Sequence, residues 1–100
     1  KEIQEKTGVL DLNQMNLTGF PRFITELAHL TYLDLSYNHI QNINLVKKLY
    51  NLKSLDIVSN PIEDFSPLEN LPHLESLSIG QATIGNFDFL KRLKKLKSLT

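Results

Sequence analysis

Apolar residues recur along this chain in fixed columns, not in one amphipathic run. At a step of 22 residues, Leu30, Leu52, Leu74 and Leu96 fall in one column and Leu33, Leu55, Leu77 and Leu99 in the next. Leu35, Ile57 and Ile79 follow. Further columns run Ile40, Ile62, Ile84; Ile43, Phe65, Phe87; Val46, Leu68, Leu90; and Leu49, Leu71, Leu93. Self-similarity at a fixed period of this size is the signature of stacked repeats. Within each repeat the Leu-x-Leu or Leu-x-Ile pair alternates apolar with polar, which predicts a short half-buried strand. Strands of successive repeats are expected to pair in parallel, about 4.8 Å apart. The apolar spacings of three and four that follow suit short helical turns closing the opposite side. Ser66 before Pro67 predicts a capping residue ahead of a proline in the first turn. Asp88 is expected to cap "FLKRLKK", whose lysines lie toward the negative helix end. No single repeat buries a core by itself; the stack does so collectively.

The polar members of the repeat are equally regular. The segments "LTYLDLSYNHI" (30–40) and "LKSLDIVSNPI" (52–62) share the pattern LxxLxLxxNxI. This pattern resembles the leucine-rich repeat family. The 22-residue step is similar to its short class, which occurs in bacterial internalins and in phosphatase-regulating repeat proteins. An earlier, looser repeat, "TGVLDLNQMNLTGFPRFITEL", carries Leu10, Leu12, Leu17, Phe20, Ile24 and Leu27 at a 23-residue step, with Met15 in the Asn column. The resemblance implies an α/β fold: a right-handed solenoid with short parallel strands on the concave face and short helical or 3-10 turns on the convex face. It implies that Asn38 and Asn60 turn inward to hydrogen-bond adjacent loops. Ala82 in that column cannot, so "SIGQATIG" (78–85) is expected to form a looser turn. The expected organisation is one domain over 1–100, with repeats near 7–29, 30–51, 52–73 and 74–95 and a partial repeat at 96–100. It reads as a segment of a longer array whose isolated C-terminal end would fray or self-associate. Residues 1–6 are either the tail of a capping helix or a frayed end.

Composition narrows the chemistry. The chain has no cysteine, which removes disulfides, thiol nucleophiles and thiolate zinc sites. That fits a reducing compartment, slightly favouring the cytoplasm, and also fits a thiol-free bacterial surface protein. No apolar run approaches the ~20 residues of a membrane helix. The net charge of zero is unevenly placed: residues 1–90 hold six Lys/Arg against eleven Asp/Glu, whereas 91–100 hold five Lys/Arg and no acid. His29, His39 and His73 do not share metal-ligand spacing and read as solvated loop residues. "NLT" (16–18) matches a glycosylation sequon, relevant only to a secreted chain. No cofactor is expected.

The positions between the core residues should face the concave side. One stripe is Val9, Tyr32, Ser54, Ser76 and Ser98; a second is Asp11, Asp34, Asp56, Ser78 and Thr100; a third is Asn13, Ser36, Val58 and Gly80, with Gln14, Tyr37, Ser59 and Gln81 at its rim. The three aspartates read either as a surface for a partner's Lys or Arg or as a default of "LDLS"-type repeats. Their equivalence argues against acid–base hydrolysis, which needs two carboxyls in unequal environments. Aromatic residues are enriched at interface hot spots. Val9, Asp11, Tyr32, Asp34, Tyr37, Asp56 and Val58 are therefore the candidate contact residues for another protein, against the alternative that scattered exposed apolar residues are ordinary. The expected role is non-catalytic protein recognition within a larger receptor, adhesin, effector or scaffold. One rival is docking onto an enzyme such as a phosphatase. A second is salt-sensitive binding of nucleic acid or anionic lipid by Lys91, Arg92, Lys94, Lys95 and Lys97. Leu90, Leu93 and Leu96 lie between those charges and no aromatic is interleaved, which makes nucleic acid the weaker expectation.

Overall fold

A computed structural model describes residues 8–80 and 88–100. Each repeat contributes one strand: β1 (Val9–Asp11), β2 (Tyr32–Asp34), β3 (Ser54–Asp56), β4 (Ser76–Ser78) and β5 (Ser98–Leu99). They form one parallel sheet in chain order. The register follows the sequence columns, with Val9 beside Tyr32, Tyr32 beside Ser54, Ser54 beside Ser76 and Ser76 beside Ser98. The strands are short because one turn of the coil supplies only two inward positions to each. Ladder-like bonds continue past the strand ends, where Leu12 N–H donates to Asp34 O, Leu35 N–H to Asp56 O and Ile57 N–H to Ser78 O.

Among the described residues the opposite layer consists of four five-residue 3-10 segments: η1 (Arg22–Glu26), η2 (Asn44–Lys48), η3 (Ser66–Asn70) and η4 (Asp88–Arg92). Their three-residue hydrogen bonds, such as Leu27 N–H to Ile24 O and Leu49 N–H to Val46 O, point one side chain per segment inward. That length is ordinary for 3-10 structure, which seldom runs further. Ile24, Val46, Leu68 and Phe89 are the buried residues of these four segments. They close the core against Leu33, Leu55 and Leu77 of the strands.

Two capping expectations are corrected. η3 starts at Ser66, so Ser66 is already helical and Phe65 occupies the cap position without a side-chain bond. The cap-like acceptor is instead Asp64, whose Oδ1 takes the Ser66 N–H at 2.9 Å. Asn42 does the same for the Asn44 N–H at 2.8 Å in the preceding repeat. The segment begins one residue earlier than Pro67 suggests, which moves the acceptor two residues back. Asp88 likewise lies inside the first turn of η4, and not ahead of it, 3.6 Å from Lys91 Nζ. In the core, Phe65 and Phe89 stack with ring centres 5.7 Å apart. The looser turn expected around Ala82 and Gly85 lies outside the described residues. Gly80, at its start, has φ +66°.

Candidate functional site

The side chains that face outward from the sheet come from the x positions of the Leu-x-Leu pattern and from the turn after each strand. Parallel register places like positions side by side, so Asp11, Asp34 and Asp56 are neighbours across β1, β2 and β3. Tyr32 lies between Val9 and Ser54 one pleat earlier. Val9 and Tyr37 are prominent, at 48% and 54% exposure. Tyr32, Val58 and Asp56 are half-buried.

The aspartates are not equivalent, contrary to the sequence expectation. Asp34 is only 8% exposed. Its Oδ1 accepts the Ser36 N–H at 2.9 Å and the Ser36 hydroxyl at 2.6 Å. Asp56 accepts only a backbone bond, from Val58 N–H at 3.1 Å, because the Ser36 column holds Val58 in this repeat. Asp11 is exposed and accepts the Asn13 N–H at 3.0 Å. All three therefore tie down the turn after their strand, but only Asp34 is folded into it. Burial pushes the Asp56 carboxyl up, partly opposed by the Val58 N–H and reinforced by the charge of Asp34. Burial also raises the Tyr32 phenol, followed by the carboxylates of Asp34, Asp56 and Asp11.

Tyr37 has φ +59°, the left-handed region, as do its column mates Gln14 (54°) and Ser59 (59°). This conformation is costly for a residue with a Cβ. It is held by the Tyr37 N–H to Val58 O bond at 2.8 Å and by the adjoining Asn38. Asn38 Oδ1 accepts the N–H groups of Met15 and Leu17, both at 3.0 Å. Its Nδ2 faces the carbonyls of Leu12, Leu35 and Ser36 at 3.1, 2.9 and 3.2 Å. Asn60 repeats the arrangement, accepting from Ile40 N–H at 3.0 Å and donating to Leu35 O at 2.8 Å. These two amides bind one coil to the previous one and fix the angle at which the sheet-side turns are displayed.

The other candidates do not join this cluster. Lys91, Arg92, Lys94, Lys95 and Lys97 are exposed, with Leu93 buried and Leu90 and Leu96 half-buried between them. Lys95 Nζ lies 3.5 Å from His73 Nδ1. His39 and His73 are exposed as expected, whereas His29 is half-buried. Among the described residues no group of three or more His, Cys, Asp or Glu could hold a metal ion, and no helix is long and apolar enough to cross a membrane. Among the described residues, open clefts at the start of the 3-10 layer gave no sign in the sequence. One, of about 360 Å³, includes Thr18, Arg22, Gln41 and Leu45 in its walls. Another, of about 210 Å³, includes Asn42, Asn44, Glu63 and Asp64. Apart from Phe20 and Ile43, their lining residues fall between the apolar columns, so periodicity carried no signal for them.

A coil with one strand per turn, a 3-10 return and inward Asn rungs defines a leucine-rich repeat solenoid. The family model for leucine-rich repeats (two copies) matches residues 28–70 and again 50–92, and the chain belongs to that family. It is similar to an internalin (InlF) from Listeria monocytogenes, at 37% identity and TM-score 0.82 over 91% of this chain and 26% of that one. It is also similar to a leucine-rich repeat protein of Leptospira interrogans, at 30% identity and TM-score 0.76 over 90% of this chain and 24% of that one. The functional domain of InlJ from Listeria monocytogenes, described as including a cysteine ladder, matches at 25% identity and TM-score 0.80 over 99% of this chain and 21% of that one. The chain thus spans about a quarter of the length of these solved relatives. No curated protein matches it.

Proposed function

We propose that this solenoid recognises another protein, without catalysis, through the sheet face centred on Tyr32, Tyr37 and Val58. Leucine-rich repeat domains are typically protein-interaction modules, and the internalin-like relatives belong to that type. The observation that carries the reading is Tyr37. An aromatic side chain stands 54% exposed at a backbone position of φ +59°, where Gly or Asn would be less strained. Strained and exposed together, it serves contact and not core packing. Val9 and Val58 supply flanking apolar surface. The aspartates do not form an acid–base pair on this reading. Asp34 oxygen is already engaged by Ser36, and the face is an open sheet, not a cleft that excludes water.

A rigid row of strands limits the conformational entropy lost on contact. The test is site-specific photo-crosslinking in lysate or on cells of the source organism, with p-benzoylphenylalanine in place of Tyr37 or of Phe23. Phe23 is comparably exposed at 49% but lies in the 3-10 layer. A discrete adduct from position 37 and none from position 23 is the expected result. Equal adducts, or adducts only from position 23, would overturn the assignment.

A further inference from the structure

Charge divides the coil by flank. In each turn one flank leads from the strand end to the start of the 3-10 segment. The other leads from the last residues of the 3-10 segment back to the next strand. Among the described residues the outgoing flank carries six Asp/Glu, Asp56, Glu63 and Asp64 among them, against Arg22. The returning flank carries Glu26, Glu69 and Glu75 against eight Lys/Arg. Lys47, Lys48 and Lys53 belong to the return from η2 to β3, and the other five to the return from η4 to β5, at 91–97. The returns stack directly: Lys53 N–H donates to Thr31 O at 2.8 Å, Glu75 N–H to Lys53 O at 2.8 Å and Lys97 N–H to Glu75 O at 2.7 Å. Lys53 and Lys97 therefore share a column, as do Lys47 and Lys91, and Lys48 and Arg92. Each pair is two coils, or roughly 10 Å, apart. All eight cations are exposed, whereas Glu69 and Glu75 between them are half-buried. Among the described residues Lys91 alone of the eight is ion-paired, 3.6 Å from Asp88 and largely in water. Tyr50, 53% exposed, lies in the same return as Lys53 and in the column of Lys94. The run 91–97 has no interleaved aromatic, but the fold brings one to its flank from two coils earlier.

We propose that the returning flank docks on an anionic bilayer surface, with its lysines against the headgroups and Tyr50 at the boundary of water and lipid. This docking leaves the sheet face open to a protein partner and does not depend on that role. Seven of the eight cations are Lys, not Arg. An ammonium is a point charge on a flexible stem, whereas the planar guanidinium fork selects individual phosphates. Such a set suits a smeared negative surface better than a single bound group. Each Lys or Arg near an anionic leaflet adds its own increment of attraction, so charges spread along one flank sum without a pocket. The acidic outgoing flank is repelled by the same surface, which fixes the orientation. A tyrosine suits the boundary because its ring is apolar and its hydroxyl polar. Nucleic acid is disfavoured, since a run of bases needs several aromatic platforms and this flank offers one.

The test is co-sedimentation of the whole chain with vesicles of phosphatidylcholine, alone or with about 30% phosphatidylglycerol. Support is binding to the anionic vesicles only, lost as salt rises toward about 0.5 M and weakened at least about tenfold in K47Q/K48Q/K53Q. This variant leaves 91–97 intact, so it separates the flank from that run alone. Its three positions are exposed, and circular dichroism checks that it folds. The chain has no Trp, so Y50W and Y37W each introduce a single fluorescent reporter. A blue shift of Y50W emission on anionic vesicles, with Y37W unchanged, completes the support. No vesicle binding, equal binding to neutral vesicles, undiminished binding by K47Q/K48Q/K53Q, or a shift of Y37W in place of Y50W would overturn the proposal. Binding of an oligo-dT strand without vesicle binding would overturn it too, and would assign the flank to nucleic acid.

Discussion

At the scale of single residues, small differences between repeats decide what the surface offers. The Asp column was legible in the sequence as a stripe, but its inequivalence was not. The deciding residue is two positions on, where Ser36 offers a hydroxyl and Val58 does not. Titration separates two of the acidic groups. Asp56 has a raised carboxyl when folded, so the native state holds its proton more tightly than the unfolded chain does. Stability therefore falls as pH rises from the unfolded value near 3.8 through the folded one. Asp64 is lowered by the Ser66 N–H and hydroxyl, so its contribution is present above the unfolded value and lost as pH falls through the folded one. Asp56→Asn should accordingly stabilise at neutral pH more than at pH near 3, and Asp64→Ala should destabilise at neutral pH and have less effect in acid. Urea midpoints measured across that range check both signs. Asn38→Ala should cost about 3 kcal/mol, since it strands two part-buried N–H groups and several carbonyls. A loss under about 1 kcal/mol in chemical denaturation would mean that water replaces the amide.

At the scale of the element, the pattern predicted strands and turns well and their ends poorly. Leu-x-Leu fixes a strand because two inward residues must bridge to the same residues of the next coil. The turn after the strand depends instead on φ, which apolar periodicity does not encode. Gly80 illustrates this: it takes φ +66° in the column where Ser36 and Val58 stay out of the left-handed region. A Cβ there would meet Val58 Cγ1 at 3.2 Å. Gly80→Ala should lose about 1–2 kcal/mol, mainly from the backbone conformation. The converse change, Tyr37→Gly, should be neutral or stabilising by up to about 1 kcal/mol, and thermal denaturation of both variants reads the difference. The same blindness explains the misplaced cap of η3. Pro67 signalled a helix start correctly, but Asp64 two residues before Ser66 holds the first N–H.

At the scale of the whole molecule, the solenoid is a set of like units whose burial differs along the stack. Leu33, Leu55 and Leu77 are essentially fully buried, whereas Leu10 is half-buried and Leu99 is 47% exposed. The architecture was legible because each column repeats, so chance agreement at one position is corrected by the next. The proposed partner surface was legible only as a set of positions, since exposure depends on side chains of the same turn and of the adjacent coil. In a repeat stack, stability is close to a sum of unit and nearest-neighbour terms. Removing a residue shared by two interfaces therefore weakens both, while removing one at a thinly covered position weakens little. Leu55→Ala should cost about 3–4 kcal/mol, within the range for a fully buried leucine. Leu99→Ala should cost less than about 1 kcal/mol, since much of its side chain is already in water. Amide hydrogen exchange of the unsubstituted chain should follow the same order, slowest at Leu33 and Leu55 and fastest at β1 and β5. Uniform protection across all five strands would mean that the coils open as one cooperative unit, and in that case the two leucine substitutions would lower the protection of every strand by the same amount.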